Sequence, residues 1–457
     1  MKVLLIMPPF TQSKKAMKRC IVPLGLAYIA AVLENNGIIT KIVDCMVEGY
    51  YNEVAETNNR ITYGLFDPEI KKRIKEFAPD FVGVSCLMSA QAINAHRMCK
   101  LAKEVNTNIQ TVMGGCHPAA LPTETLKDTN VNHVVVGEGE QSMLDIVLGR
   151  KKGVVKSSEP LDIDALPMPA RHLLQMETYT KINMPTSTFS PHRRVTQIET
   201  SRGCPFQCVF CAATNFWGKW RGRSAEKVLE EVEILKNKYK IKELDIIDSN
   251  LTIDRKRLVK ILEGLKEIGI AWANPGGIWV GGLDTELLDL MKESGCYQLS
   301  FAIESSNQEI LSNVIKKPLK LDKVEPLVKY CQKIGIDIHA FFVSGFPEET
   351  VKNMKDNYRF AKAMNFTSAS FNIVNPIPGS ELYEKYPVDY SQIELRNASI
   401  PHPEISSAEL EKLIAGFNKR FNSSLIYRNP RMFFKKYILN MVRKRSFRFA
   451  SRMFGRQ

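Results

Sequence analysis

The stretch TSRGCPFQCVFCAATNFWGKW, residues 200–220, sets Cys204, Cys208 and Cys211 within eight residues of one another. Thiolates at C-x3-C-x2-C spacing can hold zinc or an iron–sulfur cluster. A closed structural zinc site takes four ligands, and no second CxxC or HxxxH pair lies within reach in the sequence. A [4Fe–4S] cluster ordinarily takes four thiolates as well. Three leave one iron without a protein ligand, free to bind a substrate or cofactor. The spacing therefore reads as catalytic rather than structural.

The sequence on either side says where that loop sits. RVTQIET leads into it, and ELDIID, IAWANPG, YQLSFAIES, IDIHAFFVSGFP and TSASFNIVNP follow as strand candidates with helical stretches between them. In SAEKVLEEVEILKNKY, Val228, Leu229, Val232 and Leu235 fall on one helical stripe. In DTELLDLMKESG, Asp284 is a candidate N-cap and Gly295 the stop. Six consecutive βα units predict a partial (β/α)6 barrel, whose chemistry belongs at the C-terminal ends of its strands. The cysteines directly follow the first of those strands.

Upstream, KVLLIM, TKIVDC, FVGVSCL, QTVMGG and HVVVGEGE alternate with helices such as PLGLAYIAAVLENNG, in which Leu24, Ala27, Tyr28, Ala31 and Val32 share a face and Gly37 is the stop. This predicts an α/β, doubly wound, Rossmann-like domain. The expected organisation is such a domain over residues 1–150, a polar and proline-rich linker over 151–190, a barrel over 191–385 and a short helical C-terminal region over 386–457.

Bulk properties are those expected of a soluble globular protein: 44% hydrophobic and 25% charged residues, with no apolar run of membrane-spanning length. MKVLLIMPP reads as a buried strand rather than a signal peptide, so a cytoplasmic location is expected, with cysteines kept reduced. Net charge is +14, but residues 428–457 hold ten Lys or Arg and no acid, leaving the rest near neutral at +4. That basic tail, with Phe433, Phe434, Tyr437, Ile438 and Leu439 among the cations, suits an anionic membrane surface or anionic partner as well as it suits a packed terminal helix.

CPFQCVFC at the end of the first barrel strand resembles the signature of the radical S-adenosylmethionine (SAM) enzymes. In that family the open iron chelates the amino and carboxylate groups of SAM, and one-electron reduction cleaves the sulfonium to a 5′-deoxyadenosyl radical. The resemblance extends to Phe210, where the family places an aromatic beside the adenine. Asp248, Ser249 and Asn250 match the position that receives the methionine amino group. Glu304 and Ser305 resemble the ribose-contacting motif, and Gly345 the glycine that lets the adenine approach. In the first domain, Ser85 and Leu87, Gly114 and Gly115, and Gly137, Glu138, Gly139 and Glu140 fall at successive strand ends. Small residues there let a bulky planar cofactor lie on the sheet edge. The set resembles the cobalamin-binding domain found ahead of many radical SAM barrels. No D-x-H-x-x-G loop follows the first strand, so the resemblance implies cobalamin with no histidine from that motif on its lower face; His117 and His133 receive no ligand role.

Longer phrases, RCIVPLGLAYIAAVLE, TNFWGKWRGRS and AIESSNQEILSNVIKKPLKL among them, resemble the cobalamin-dependent radical C-methyltransferases that act on cytidylyl-2-hydroxyethylphosphonate. The resemblance implies three cofactors: a [4Fe–4S] cluster, SAM and methylcobalamin. It also implies transfer of a methyl group to an unactivated carbon of a small anionic, phosphonate-type substrate, as in antibiotic biosynthesis. A flavodoxin or ferredoxin would be the electron donor. Trp217, Trp220, Arg221, Arg223, Trp272 and Asn274 are candidates to line the substrate cavity. A cobalamin-dependent radical cyclase would share the same domains. A transfer-RNA methylthiotransferase would suit the basic tail, but Cys20, Cys45, Cys86, Cys99 and Cys116 do not fall at that family's spacings, so nucleic acid is not an expected partner. A non-enzymatic cobalamin carrier would have no use for the cysteine triad.

Overall fold

The computed structural model describes residues 1–434 apart from 15, 58, 157–159, 183–185, 188–189, 391–392 and 394–396. The basic tail beyond 434, including Tyr437, Ile438 and Leu439, lies outside the described residues. The chain divides into two compact units, one of residues 1–184, 212–219 and 377–393, the other of 185–211, 220–376 and 394–457.

We number the strands of the two main sheets in chain order. The first unit holds β1 (Lys2–Met7), β2 (Ile39–Asp44), β3 (Phe81–Ser85), β4 (Gln110–Gly114), β5 (His133–Val136) and β6 (Val154–Lys156). Their order is β2-β1-β3-β4-β5-β6, every neighbour parallel. The first five are short apolar runs largely buried on both faces, as crossover helices on each side require, while the edge strand β6 is exposed at two of its three positions. The chain reverses direction across the sheet between β1 and β3, the crevice where such folds bind ligands. The helix Leu24–Asn35 buries the predicted face, and Gly37 stops it at φ +73°.

Two features were not expected from sequence. An antiparallel three-stranded ribbon, Phe10–Ser13, Arg60–Tyr63 and Glu53–Glu56, is inserted beside the sheet. The stretch expected as a linker contributes β6 and the helix Met176–Ile182, and Tyr179 from that helix donates a hydrogen bond to buried Asp44.

The second unit is a six-stranded parallel sheet in simple sequential order: β7 (Val195–Ile198), β8 (Glu243–Ile246), β9 (Ala271–Ile278), β10 (Cys296–Glu304), β11 (Asp337–Ser344) and β12 (Ser368–Ile373). All six predicted barrel strands are present. In β11, Ile338, Ala340, Phe342 and Ser344 are buried, while His339, Phe341 and Val343 alternate with them on the other face. Phe371 on β12 packs against Phe417 and Phe421 of the helix Ser407–Ser423, which closes that side. The predicted helix caps also form, since Asp284 accepts from the Leu287 amide at 2.8 Å.

Candidate functional site

The cysteine loop is a closed excursion. Ser201–Arg202 pairs antiparallel with Arg221–Gly222, which brings the chain back to its starting point. Asp248, two residues beyond β8, ties down the launch. Its Oδ1 accepts from the Thr200 amide at 2.6 Å, and its Oδ2 accepts from the Thr200 and Ser201 hydroxyls at 2.5 and 2.6 Å. The Asn250 carbonyl accepts from Trp220 Nε1 at 3.0 Å, and its side-chain oxygen faces the Thr252 amide. Of the three residues expected to meet a methionine amino group, Ser249 alone is exposed.

Between those anchors Cys204 and Cys208 are half-buried and Cys211 is exposed, all three as free thiols. Burial pushes the Cys208 thiol up to about 11; Lys317 opposes that shift, and Glu304, Cys211 and Cys204 add to it. Ionising such a thiol needs a strong positive partner, and a metal cluster is one. Among the described residues, no three His, Cys, Asp or Glu side chains are placed to hold a single metal ion. A cubane asks for something wider, because it takes each thiolate on a different iron. The donor set, three thiols and no fourth ligand, fits a [4Fe–4S] cluster with one open iron.

Around the loop, the ends of β10 and β11 carry the other predicted residues. Glu304 is buried at φ +67°, a backbone conformation that non-glycine residues adopt only where surroundings enforce it. Its carboxylate meets Lys317 Nζ at 3.2 Å, with both side chains largely buried. Burial works against the charge on Lys317, yet Glu304, Cys208 and Cys204 outweigh it and hold the amine above its usual value. Ser305 is fully buried, its hydroxyl accepting from the Asn307 amide at 3.2 Å. Phe210 lies with its ring centroid 6.3 Å from that of Phe346. Gly345 sits at φ +97°, where a Cβ would fall 2.9 Å from Leu410. Glu349 Oε2 accepts from the amides of Gly345 and Phe346 at 2.7 and 3.3 Å and so fixes this turn.

Lys317, Phe346 and Glu349 were missed by sequence reasoning. The register from Glu304 to Lys317 runs through the π-helix Ile310–Ile315, so no helical periodicity announces it. Glu349 was visible as part of SGFPEE, but nothing in the spacing shows its carboxylate bending back onto the turn.

Two of the six cavity candidates, Trp272 and Arg223, are buried and committed elsewhere, which corrects their assignment. Trp272 is wholly buried with Nε1 donating to Ser294, and Asn274 donates to the Ile246 carbonyl. Arg223 is buried against Glu231 at 2.5 Å, and Trp220 is held by Asn250. Trp217, Trp220 and Arg221 are all half-buried, and the buried Asn274 Oδ1 has no hydrogen-bond partner.

In the first unit the predicted residues gather at the C-terminal ends of β3, β4 and β5. Ser85 pairs with Gly114 in register. Gly115 turns at φ +110°, and a Cβ there would fall 2.5 Å from the Cys86 carbonyl. Gly137 turns at φ +86°, and Gly139 opens the helix Gly139–Val147, touching Ile29 so closely that a Cβ would lie 2.7 Å from it. Glu138 accepts from the Leu161 amide at 3.3 Å, and Glu140 is buried. Beyond β3, Leu87 and Met88 stand 52% and 44% exposed. Glycines at the strand ends and apolar side chains left bare beside them fit a large planar group, as the switch-point position leads one to expect.

Comparison with known proteins agrees with both halves. Residues 16–147 match the B12 binding domain, and residues 198–361 match the radical SAM superfamily. That pairing defines the class: a cobalamin-binding unit joined to a radical SAM barrel. The chain is 38% identical to the cytidylyl-2-hydroxyethylphosphonate methyltransferase of Streptomyces wedmorensis, over 92% of this chain and 90% of that one. It is 32% identical to an uncharacterized methyltransferase of Pyrococcus horikoshii, over 84% and 83% of the two chains. The solved structure of the radical SAM methyltransferase TsrM from Kitasatospora setae, with cobalamin and a [4Fe–4S] cluster bound, shares the fold at a TM-score of 0.66 and 17% identity, covering 83% of this chain and 76% of that one. The chain belongs to the cobalamin-dependent radical SAM methyltransferases, enzymes that use cobalamin, SAM and an iron–sulfur cluster. No helix among the described residues is long and apolar enough to cross a membrane.

Proposed function

We propose that this enzyme methylates an unactivated carbon of a cytidylylated phosphonate such as cytidylyl-2-hydroxyethylphosphonate. The observation that carries this reading is 38% identity, spanning both units, to a methyltransferase of that substrate. An unactivated C–H bond gives an acid or base no handle, so proton chemistry cannot reach it. Bound together, the three cofactors supply one-electron cleavage of a sulfonium and a methyl group that a carbon radical can accept.

In this reading the chain's own work is to hold and orient. Cys204, Cys208 and Cys211 ligate the cluster. Asp248 fixes the strand end from which the cysteine loop springs, leaving Ser249 and the main chain to meet the methionine amino group. Phe210 and Phe346 flank the adenine over Gly345, whose turn Glu349 holds. Glu304, oriented by Lys317, contacts the ribose. Ser85, Leu87, Gly114, Gly115 and Gly137 to Glu140 form the cobalamin seat in the first unit. The reducing electron comes from a flavodoxin- or ferredoxin-like carrier.

Anaerobic incubation with methyl-labelled SAM and cytidylyl-2-hydroxyethylphosphonate tests the reading. The expected result is label on the hydroxyl-bearing carbon, together with 5′-deoxyadenosine. Formation of 5′-deoxyadenosine with an unlabelled, rearranged product would replace methyl transfer by a cyclase-type reaction.

A further inference from the structure

A groove of about 540 Å³ opens in the barrel unit beside the cysteine loop, lined by Gln308, Ser312, Lys317, Pro318, Lys320 and Asp322. Two short routes join it to the thiols. Lys317 is at once a wall of the groove and a cation whose charge acts on Cys208, with its amine on Glu304 at 3.2 Å. Along the other route, Trp279 donates Nε1 to the Pro318 carbonyl at 2.8 Å, and its ring packs edge-on against Phe206, between Cys204 and Cys208, with centroids 4.9 Å apart. The Val209 amide also bonds the Ile315 carbonyl at 3.0 Å, fastening the two loops together. Exposed lysines outnumber acids along its wall: Lys320 lines it, and Lys316 and Lys323 are exposed next to lining residues in the chain, against exposed Glu309 and Asp322.

We propose that this groove is the docking surface for an acidic one-electron carrier protein that reduces the cluster. The inference rests on the radical SAM reading of the site. The step is a single electron passing from the carrier's reduced centre to the cluster; no bond forms or breaks, and the oxidised carrier leaves. Such encounters use small interfaces and gain their rate from complementary charge at the rim. The groove offers both within reach of the thiols, and its rim lysines suit a protein of opposite charge.

The test uses anaerobically reconstituted holoenzyme and an acidic flavodoxin, with binding read from flavin fluorescence across a salt series. Replacing Lys320→Glu and Lys323→Glu together should weaken binding about tenfold or more, flatten its salt dependence and slow flavodoxin-driven cluster reduction by a similar factor. Reduction by dithionite, too small to need docking, should stay unchanged. The pair Lys329→Glu and Lys333→Glu makes the same change in net charge on exposed positions further along the helix Val324–Ile334 and should change binding less than about twofold. Equal weakening by both pairs, or by neither, overturns the docking surface. A preparation without an iron–sulfur chromophore overturns the functional reading beneath it; an intact chromophore with unaltered binding overturns the docking surface alone.

Discussion

Each unit carries a six-stranded parallel sheet with its predicted residues at the C-terminal strand ends, yet the two sites are built in opposite ways. The first is made by leaving side chains out: glycines at positions 114, 115, 137 and 139, two of them at φ above +80°, and bare apolar Leu87 and Met88. The second is made by putting charge and sulfur in: three thiols, the buried Glu304–Lys317 pair and the Glu349 clamp. A corrin brings its own metal and needs room and a surface to lie on. A cluster and a sulfonium cofactor must be ligated and oriented by the protein. Damage to one site should therefore be separable from damage to the other.

The sharpest way to break that comparison is Cys208→Ala. Product formation should fall at least about a thousandfold with loss of the iron–sulfur absorbance, while cobalamin uptake persists. Joint loss of both cofactors would mean that the sites are not independent.

Lys317→Met should come next. Removing one partner of a largely buried pair leaves Glu304 uncompensated and should cost the barrel unit about 3 kcal/mol. Thermal unfolding checks it, and the double variant with Glu304→Gln should recover part of the loss without restoring SAM cleavage.

Gly115→Ala should cost roughly 1–3 kcal/mol, from strain at positive φ and the clash with Cys86. Cobalamin content should drop while iron content holds. Metal and corrin counts on one sample decide between this and a general collapse.

The smallest effect is on pH. Burial pushes Glu349 up to about 7 against the pull of its backbone hydrogen bonds, and Glu243 likewise to about 7. Between the unfolded value, roughly 4.3, and the folded one, the native chain binds the extra proton. Stability should therefore fall as pH rises through that window and level off above it. Glu349→Gln should flatten part of the slope in unfolding temperature between pH 5 and 8.

The strand and helix alternation of both units could be read from the sequence because buried parallel strands are unbroken β-branched runs bounded by turn residues. The cysteines and strand-end motifs were legible for the same reason: each lies immediately after such a run. What escaped reading depends on partners far along the chain. The ribbon strand Glu53–Glu56 is exposed at all four positions, so it carries no hydrophobic alternation. Trp272 looked like a cavity residue by composition, yet its strand register turns it inward to Ser294. Asp248 sits where a cofactor contact was expected, but both carboxylate oxygens are taken by Thr200 and Ser201. Residue type fixes what a side chain can bond, and only the fold decides which bonds are already made.

One polypeptide supports two cofactor seats of unlike construction. The most direct measurement is a joint iron, sulfide and cobalamin count on the anaerobically reconstituted wild-type chain, beside its Cys208→Ala and Gly115→Ala variants. Each wild-type chain should carry about four irons and one corrin, with the iron lost in the first variant and the corrin depleted in the second. Wild-type protein that takes up either cofactor alone, or variants that lose both together, would contradict it.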